Sequence, residues 1–598
     1  MADNTAVPMD AAGQDVKTSD STTHRENEVR MVEELLSRAK TFRRRFDRDW
    51  HQNYEFVLGS RQWPLERPRW RFTDVLNMTW ATILTEVGIQ SDARPKVDFV
   101  GMEETDIQFG EILSQIEAYN WEKYNNQQKI VANGLLDCKI YHVSHVLSEW
   151  NPELENGIGD LEDKLLDPFF CYWDPLATCE EDMRYFIYAV PTPVSLMKKM
   201  YGNDVKADVE TVSGGMFGMG RYSVDSDKWR VNQLFRSQSG RASLFESERF
   251  GGEPMVLRTR CWIKDESIVE EKTQDEEGPL FLLKKKFPKG RYLEIVNNKV
   301  QQDRENGVII DGKVVPYEDG EIPIARLVNY SYPREYAGEN EVSMLRGPQM
   351  VINYIAGFIM DHFKQAGNPQ HVLGKSNAEI ADMITAEPGL VMVLNNYAEY
   401  RREQGLPLPA NFIQLLDTYL GLFDKIQGIQ DAARGAQQPG VTSGVFLEGV
   451  VEASQTRARL KNRNMDAFLQ RLGQLHLSRY LQFYNVPRAF RITNKEGFPE
   501  NVEFFISEQN GQKMANFNGQ GGVAQIPIKG RVDVKIQSGS ALPFAKAQKM
   551  TNAKELFAAG AIDREELLKS IDWPNYEKVL MRVEAAEAQQ AQMQVQPK

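Results

Sequence analysis

Two long helix-period patterns dominate the C-terminal half, and the break between them constrains the fold most. From Pro409 to Ala433 apolar residues recur at Phe412, Leu415, Leu416, Tyr419, Leu422, Phe423, Ile426 and Ile429. This is the three-or-four spacing that puts one stripe along a helix. A second pattern of some forty residues runs from Ser443 to Tyr484, with Phe468, Leu469, Leu472, Leu475 and Leu481 in its later half. Between them stands AARGAQQPGVTSGVFL, 432–447. Gly435, Pro439 and Gly440 forbid helix there, because glycine gains too much freedom and proline lacks the N–H that a helix needs. Such a break is a hairpin connector, a linker, or a loop held at the end of a stiff support.

The rest of the chain alternates in character. An apolar stripe at Leu35, Ala39, Phe42, Phe46, Trp50, Tyr54 and Val57 predicts a helix over 32–58, ended by Gly59 and Pro64. Further helices are predicted over 74–90 and 104–126, with strands at 96–101 and 142–149. Between 150 and 330 the runs FFCYWDPLA, RYFIYAV, MVLRTRCWI and YLEIVNN are aromatic and branched, and read as strands. Asp311-Gly312 between apolar runs signals a tight hairpin turn. The Gly/Ser-rich stretches 213–223 and 236–252 read as mobile surface loops. A helix over 342–366 ends at Gly367 and Pro369, followed by a punctuated mixed stretch, 368–409. Strand-like runs AFRIT, NVEFFISE and RVDVKIQ precede a helical C-terminus in which Gly560 suits a C-cap and Asp563 an N-cap.

With 598 residues the chain exceeds one core and divides into several domains. The polar N-terminus reads as a disordered tail without a signal peptide. The most apolar window, Met350–Met360, is shorter than the ~20 residues that span a bilayer. A net charge of −13 argues against a protein that coats nucleic acid with a basic surface, though not against a local basic contact. Four dispersed cysteines, with no CxxC, indicate neither a disulfide scaffold nor a zinc site, and point to a reducing cytosol.

Catalytic chemistry is not legible. GNPQHVLGKS, 367–376, resembles a phosphate loop, but Pro369 stands where such a loop uses a backbone N–H. His51, His142, His145, His362, His371 and His476 show no ligand spacing and read as ordinary surface or core residues. Cys171 and Cys179 read as two buried thiols in a β region. Arg457, Arg459, Lys461 and Arg463 spread around their helix, which favours a solvated face or intersubunit ion pairs over nucleic-acid contact. Arg43, Arg44 and Arg45, beside Phe42 and Phe46, suit an acidic neighbour as well as DNA.

The order of these parts, with several stretches, resembles the portal proteins of tailed bacteriophages, and best those of short-tailed phages. The stretches are EYAGENEVSMLRGPQMVINY, PGVTSGVFLEGVVEASQTR, FFCYWDPLATCEEDMRYFIYAV and the run DVKIQSGSALPFAKAQKMTNAKELFAAGAIDREELLKSIDWP. The resemblance covers most of residues 30–575. It implies an α+β, mainly helical portal fold with wing, stem, clip and crown regions, closing into a ring with a central channel.

The implied division is a disordered tail 1–28, a wing 29–341 with its β-rich part at 150–330, and a first stem helix 342–367. A clip 368–409, a second stem helix 410–433 and a tunnel loop 434–442 follow. A long wing helix with returning strands, 443–540, and a helical crown, 541–598, without a C-terminal barrel, complete it. The loop residues Arg434, Gly435, Gln437, Gln438, Pro439, Gly440 and Thr442 are implied to face DNA. Lys364 and Lys425 fall on the stem, and Arg401 and Arg402 on the clip.

The implied function is a dodecameric portal at one capsid vertex of the virion, assembled in the host cytoplasm. It would nucleate capsid assembly, pass double-stranded DNA inward and outward, and dock terminase and then a head-completion or tail adaptor. Major capsid and scaffolding proteins complete the implied partners, with no membrane, enzyme activity, cofactor or metal. A nucleic-acid-processing enzyme with a divergent site, a tail hub and an ejected protein are the competing readings.

Overall fold

The computed structural model describes residues 16–59, 62–63, 68, 71–92, 96–101, 103, 106–123, 127–206, 255–275, 278–367, 371–384, 393–394, 396–402, 407–409, 411–427, 456–493, 499–509, 511–519, 522–528, 532–537, 550, 553–570, 579–580 and 582–583. The chain divides into two compact units, residues 1–48, 86–339 and 461–598 in the first and 49–85 and 340–460 in the second.

The first unit is α+β. Helix α1, Val16–Val57, starts inside the segment expected to be a disordered tail. A stripe-bearing helix, once nucleated, propagates into a polar chain at little further cost. Its stripe is used as predicted: Val32 and Ala39 are buried against Tyr185, Ile187, Ala189, Cys261 and Leu293. Those residues belong to a five-stranded antiparallel sheet in the order 299–305, 291–296, 255–263, 185–193 and 171–173. Arg43 of α1 is buried, with an acidic neighbour, Asp47, in its own helix. Its Nη1 donates to the carbonyls of Phe169 (2.7 Å) and Cys171 (2.8 Å), and its Nε to Asp47 (3.0 Å).

Helix α2 is Met78–Asp92, four residues later than predicted, because Asn77 Oδ1 caps it by accepting from Trp80 N at 3.2 Å. Helix α3, Ile107–Lys123, and strand 96–101 fall where the sequence put them. Helix α4, Gln127–Tyr141, lay unrecognised, since its buried face holds Gln127, Gly134 and Lys139 among the apolar residues and so blurs the period. Strand 144–151 sits between 160–166 and 324–327. Asp311 and Gly312 have φ of 49° and 76°, the pair of positive values that a tight hairpin turn requires, and join strands 307–310 and 313–316.

Helix α5 is Val194–Tyr201. Helix α6, Glu341–Gly367, and helix α7, Asn411–Gln427, belong to the second unit. Helix α8, described over Thr456–Phe483, carries Tyr480 and Phe483 into a large core with Phe99, Phe109, Trp150, Tyr484, Phe490 and Phe504. Strand 532–537 returns to pair with 96–101, and Gly473 of α8 lies so close to this pair that a Cβ there would meet Val97 and Val534 at 2.8 Å. The C-terminal strands exceed the three predicted, since 512–519 and 522–527 extend 488–493 and 499–509 into a four-stranded meander. The short helix α9, Arg564–Ser570, begins with Glu566 N donating to Asp563 Oδ1 at 2.7 Å, and Gly560 has φ 71°, so both predicted caps are in place.

Candidate functional site

The second unit is built on α6 and α7. They pack through Leu345, Ile352 and Phe423, with Leu416, Tyr419, Leu420 and Ile426 partly buried around them. Phe358 stacks on Phe412 at 4.7 Å between ring centroids. The predicted stripe of the second helix is therefore only partly spent on the first. Phe358, Phe363 and Ile413 remain 52%, 58% and 55% exposed, and Tyr354, Met360, Leu415 and Leu422 are also exposed. No helix among the described residues is long and apolar enough to cross a membrane. Runs of exposed apolar residues on paired helices mark a surface made to be covered by protein.

A chain of side-chain amides ties α6 to the segment before α2. Gln349 Oε1 accepts from Thr79 N (3.0 Å) and Thr79 Oγ1 (3.2 Å). Gln349 Nε2 donates to the Leu76 carbonyl (2.6 Å) and to Asn353 Oδ1 (3.1 Å). Asn353 Nδ2 donates to Gln62 Oε1 at 2.8 Å, and Gln62 Nε2 to the Phe56 carbonyl at 2.9 Å. Each buried amide is satisfied at both ends, as burial demands. Gln349 and Asn353 are the Gln and Asn of GPQMVINY, so that motif carries a lock. The sequence showed the motif but gave no signal of the residues it would reach.

The predicted site residues fall as follows. Lys364 is exposed in the last turn of α6, its ammonium 5.7 Å from the Phe72 ring centroid, and Lys425 is exposed on α7. Arg401 and Arg402 are exposed on strand 400–402, opposite Val372 and His371 of strand 371–373. The structure brings the two arginines together by adjacency and does not gather them with the lysines into one described cluster. Arg434, Gly435, Gln437, Gln438, Pro439, Gly440 and Thr442 lie outside the described residues, as do the loops 213–223 and 236–252 and the helix start at Ser443.

The phosphate-loop reading is excluded by geometry as well as by Pro369. Gly374 N donates to the Glu399 carbonyl at 2.8 Å, Ser376 Oγ donates to the Glu399 carboxylate, and that side chain fills the space a Cβ on Gly374 would need. A carboxylate sits where a phosphate would have to go. Among the described residues no group of His, Cys, Asp and Glu is arranged to hold a metal ion.

Several titratable groups that looked ordinary are buried in the first unit. His476 of α8 lies between two carboxylates, Nδ1 2.9 Å from Glu117 Oε1 and Nε2 3.0 Å from Asp163 Oδ2. Burial alone would lower its pKa, but Asp163 and Glu117 together hold it well above the usual histidine value. Asp163 is correspondingly lowered: burial pushes it up, and the imidazolium outweighs that. Tyr480 donates to Glu117 Oε2 at 2.5 Å, and Tyr484 to Asp160 Oδ1 at 3.0 Å.

Lys461 is not part of a solvated basic face. Its Nζ lies 2.8 Å from Glu86 Oε1, and Lys139 Nζ lies 2.5 Å from Glu86 Oε2, all three buried; Arg459 and Arg463 are exposed. His145 is buried with a pKa lowered to about 3, by burial first and by Arg326 and Arg43 next, so it stays neutral. Cys171 is buried on strand 171–173 as expected, whereas Cys179 is half-buried in the turn after it. His476, Lys461 and Lys139 are structural: each is buried against carboxylates of its own chain.

An α+β chain whose second unit is built on a helix pair with exposed apolar flanks fits, as a class, a protein that binds other protein. The particular family follows from comparison with family profiles. The family described as phage P22-like portal protein matches residues 34–598, and the chain belongs to it. It is a phage portal protein of the P22-like, short-tailed type, a structural component of the virion. A search of curated proteins returned no match.

Proposed function

We propose that this chain forms a closed ring, a dodecamer by family resemblance, at one capsid vertex, and that DNA passes through its centre during packaging and ejection. The observation that carries this reading is the exposed apolar flank of the α6–α7 pair, with Phe358, Phe363, Ile413, Leu415 and Leu422. Fully burying one such side chain gains roughly 1.5–3 kcal/mol, so several per chain drive lateral association. A head-to-tail contact of this kind repeats until the rotation closes.

In this reading α6 and α7 form the stem, 368–409 the clip, and 434–442 the tunnel loop. Lys364 and Lys425 face the channel, and each becomes a girdle of positive charge when multiplied around the ring. DNA carries one charge per ~1.7 Å, so a densely basic lining would hold it fast, and a sparse one on an acidic chain lets it slide. Arg401 and Arg402 of the clip meet terminase and later the tail adaptor, while the first unit meets coat and scaffolding proteins. Terminase supplies the motor energy.

Negative-stain microscopy and mass photometry of the purified chain test the ring. A compact monomer at all concentrations sinks the proposal. For the loop, deletion of Gln437–Gly440 should leave the ring intact and impair packaging or retention of DNA. Loss of assembly in that deletion would make the loop a folding element instead.

A further inference from the structure

Helix α1 changes character along its length. Upstream of Leu35 its exposed charges are of both signs, with Arg30 3.6 Å from Glu34. From Ser37 to Arg48 every exposed charge is positive: Arg38, Arg44, Arg45 and Arg48. The one acidic residue in that stretch, Asp47, is buried 3.0 Å from Arg43. Successive residues of an α-helix turn by about 100°, so these four arginines and Thr41 share an arc of about 120°. Ala39, Arg43 and Phe46 on the opposite side are buried. The arc is therefore the side of α1 turned away from its own core.

Such a stripe differs from an ordinary solvated face. Like charges three and four residues apart, here Arg45 and Arg44 with Arg48, destabilise a helix, and a solvated face interleaves acids. Arg45 has a carboxylate, Glu335 at 3.3 Å, but among the described residues none pairs with Arg38, Arg44 or Arg48. The stripe also lacks the apolar centre that a protein interface uses. Of the apolar residues between Ser37 and Arg48, Ala39 and Phe46 are buried, and Phe42 is half-buried with the Arg45 guanidinium 4.1 Å from its ring centroid. What the stripe offers is charge at a useful spacing. From Arg38 to Arg48 the helix rises about 15 Å. One strand of duplex DNA carries a phosphate about every 3.4 Å, so about four phosphates lie along four arginines. Guanidinium also grips a phosphate with two parallel N–H groups.

We propose that the stripe formed by Arg38, Arg44, Arg45 and Arg48 of α1 binds the phosphate backbone of double-stranded DNA, whatever its base sequence. It is a second DNA contact, in the first unit and separate in residues from Lys364 and Lys425. The choice of DNA among polyanions rests on the ring reading, in which DNA is what the protein handles. The affinity of the stripe for phosphates does not depend on ring closure.

Mass photometry first shows whether the chain assembles; if it does not, the ring reading fails, and the stripe is tested on the unassembled chain. Fluorescence anisotropy with a labelled mixed-sequence duplex of about 30 base pairs, over about 50–200 mM salt, reads binding and its salt dependence. The triple variant Arg38→Gln/Arg44→Gln/Arg48→Gln should bind at least about tenfold more weakly at about 50 mM salt. Its slope of log affinity against log salt should be shallower by about 2.7 for each chain in contact, at about 0.9 per lost phosphate contact. The triple variant Arg38→Lys/Arg44→Lys/Arg48→Lys should keep the native slope, and neither variant should melt below the native chain. No duplex binding by the native chain, native affinity in the glutamine variant, or a lysine variant as shallow in slope as the glutamine one would overturn the proposal. A lower melting temperature of the glutamine variant would assign the stripe to the fold instead. Tighter native binding to polyglutamate than to the duplex, at equal charge concentration, would assign it to an acidic protein.

Discussion

Replacement of His476 by Gln tests how the first unit holds charge in its interior. In the native chain the imidazolium offsets Glu117 at 2.9 Å and Asp163 at 3.0 Å, with side-chain exposures of 2%, 4% and 0%. Breaking a buried ion pair by removing one partner costs about 3–5 kcal/mol, because the remaining charge is left uncompensated. Here two carboxylates lose one cation, so the upper part of that range applies at neutral pH. Gln keeps a donor for one of them but no charge.

The pH dependence has a definite sign. The folded pKa of His476 is raised above its unfolded value of about 6.5. Its contribution is therefore full below about 6.5 and falls by about 1.4 kcal/mol per unit as pH rises toward the folded pKa. The Asp163 pKa is depressed, so its contribution is present above its unfolded value of about 3.9 and is lost as pH falls through the folded pKa. Urea unfolding of native and variant chains in the same assembly state, at pH 5.5, 6.5, 7.5 and 8.5, reads both effects. The native-minus-variant difference should be greatest near pH 5.5–6.5 and shrink above it. A difference under about 1 kcal/mol at every pH, or one that grows with rising pH, would refute the buried imidazolium.

Two further changes probe the packing. Gly473→Ala adds a methyl 2.8 Å from Val97 and Val534; overpacking of about 1–3 kcal/mol should exceed the ~1 kcal/mol gain in helix propensity, so thermal unfolding moves down. An unchanged or higher melting temperature would show that the strand pair yields freely. Gln349→Leu strips Thr79 N, Thr79 Oγ1 and the Leu76 carbonyl of their shared partner, at about 1–3 kcal/mol for each group left unpaired. Hydrogen exchange at residues 76–80 should accelerate at least about tenfold, and native-like protection there would refute the amide lock.

Much of the fold was legible because it depends on local rules. The stripes of α1 and α7, the helix over 342–366, the Asp311-Gly312 turn and the Asp563 cap are each set by residues a few positions apart, and the structure forms each of these elements. The absence of a phosphate loop was equally local, since one proline decided it. The order of helix, mixed stretch, helix, break and helix, together with the quoted stretches, carries the family resemblance.

Tertiary structure alone decided what the polar residues do. Lys461 sat in a basic run that read as a solvated face or intersubunit ion pairs, and Arg43 in one that suited an acidic neighbour or DNA; both are buried because Glu86 and two backbone carbonyls arrive from elsewhere in the chain. His476 lacked any ligand spacing because Glu117 and Asp163 are more than three hundred residues away. Strand 96–101 finds its partner at 532–537. Periodicity reports which face of an element is apolar, and a one-dimensional pattern suffices for that. The partner of a buried charge is a matter of distance in space, where Coulomb attraction and lost hydration act, and sequence separation says nothing about it.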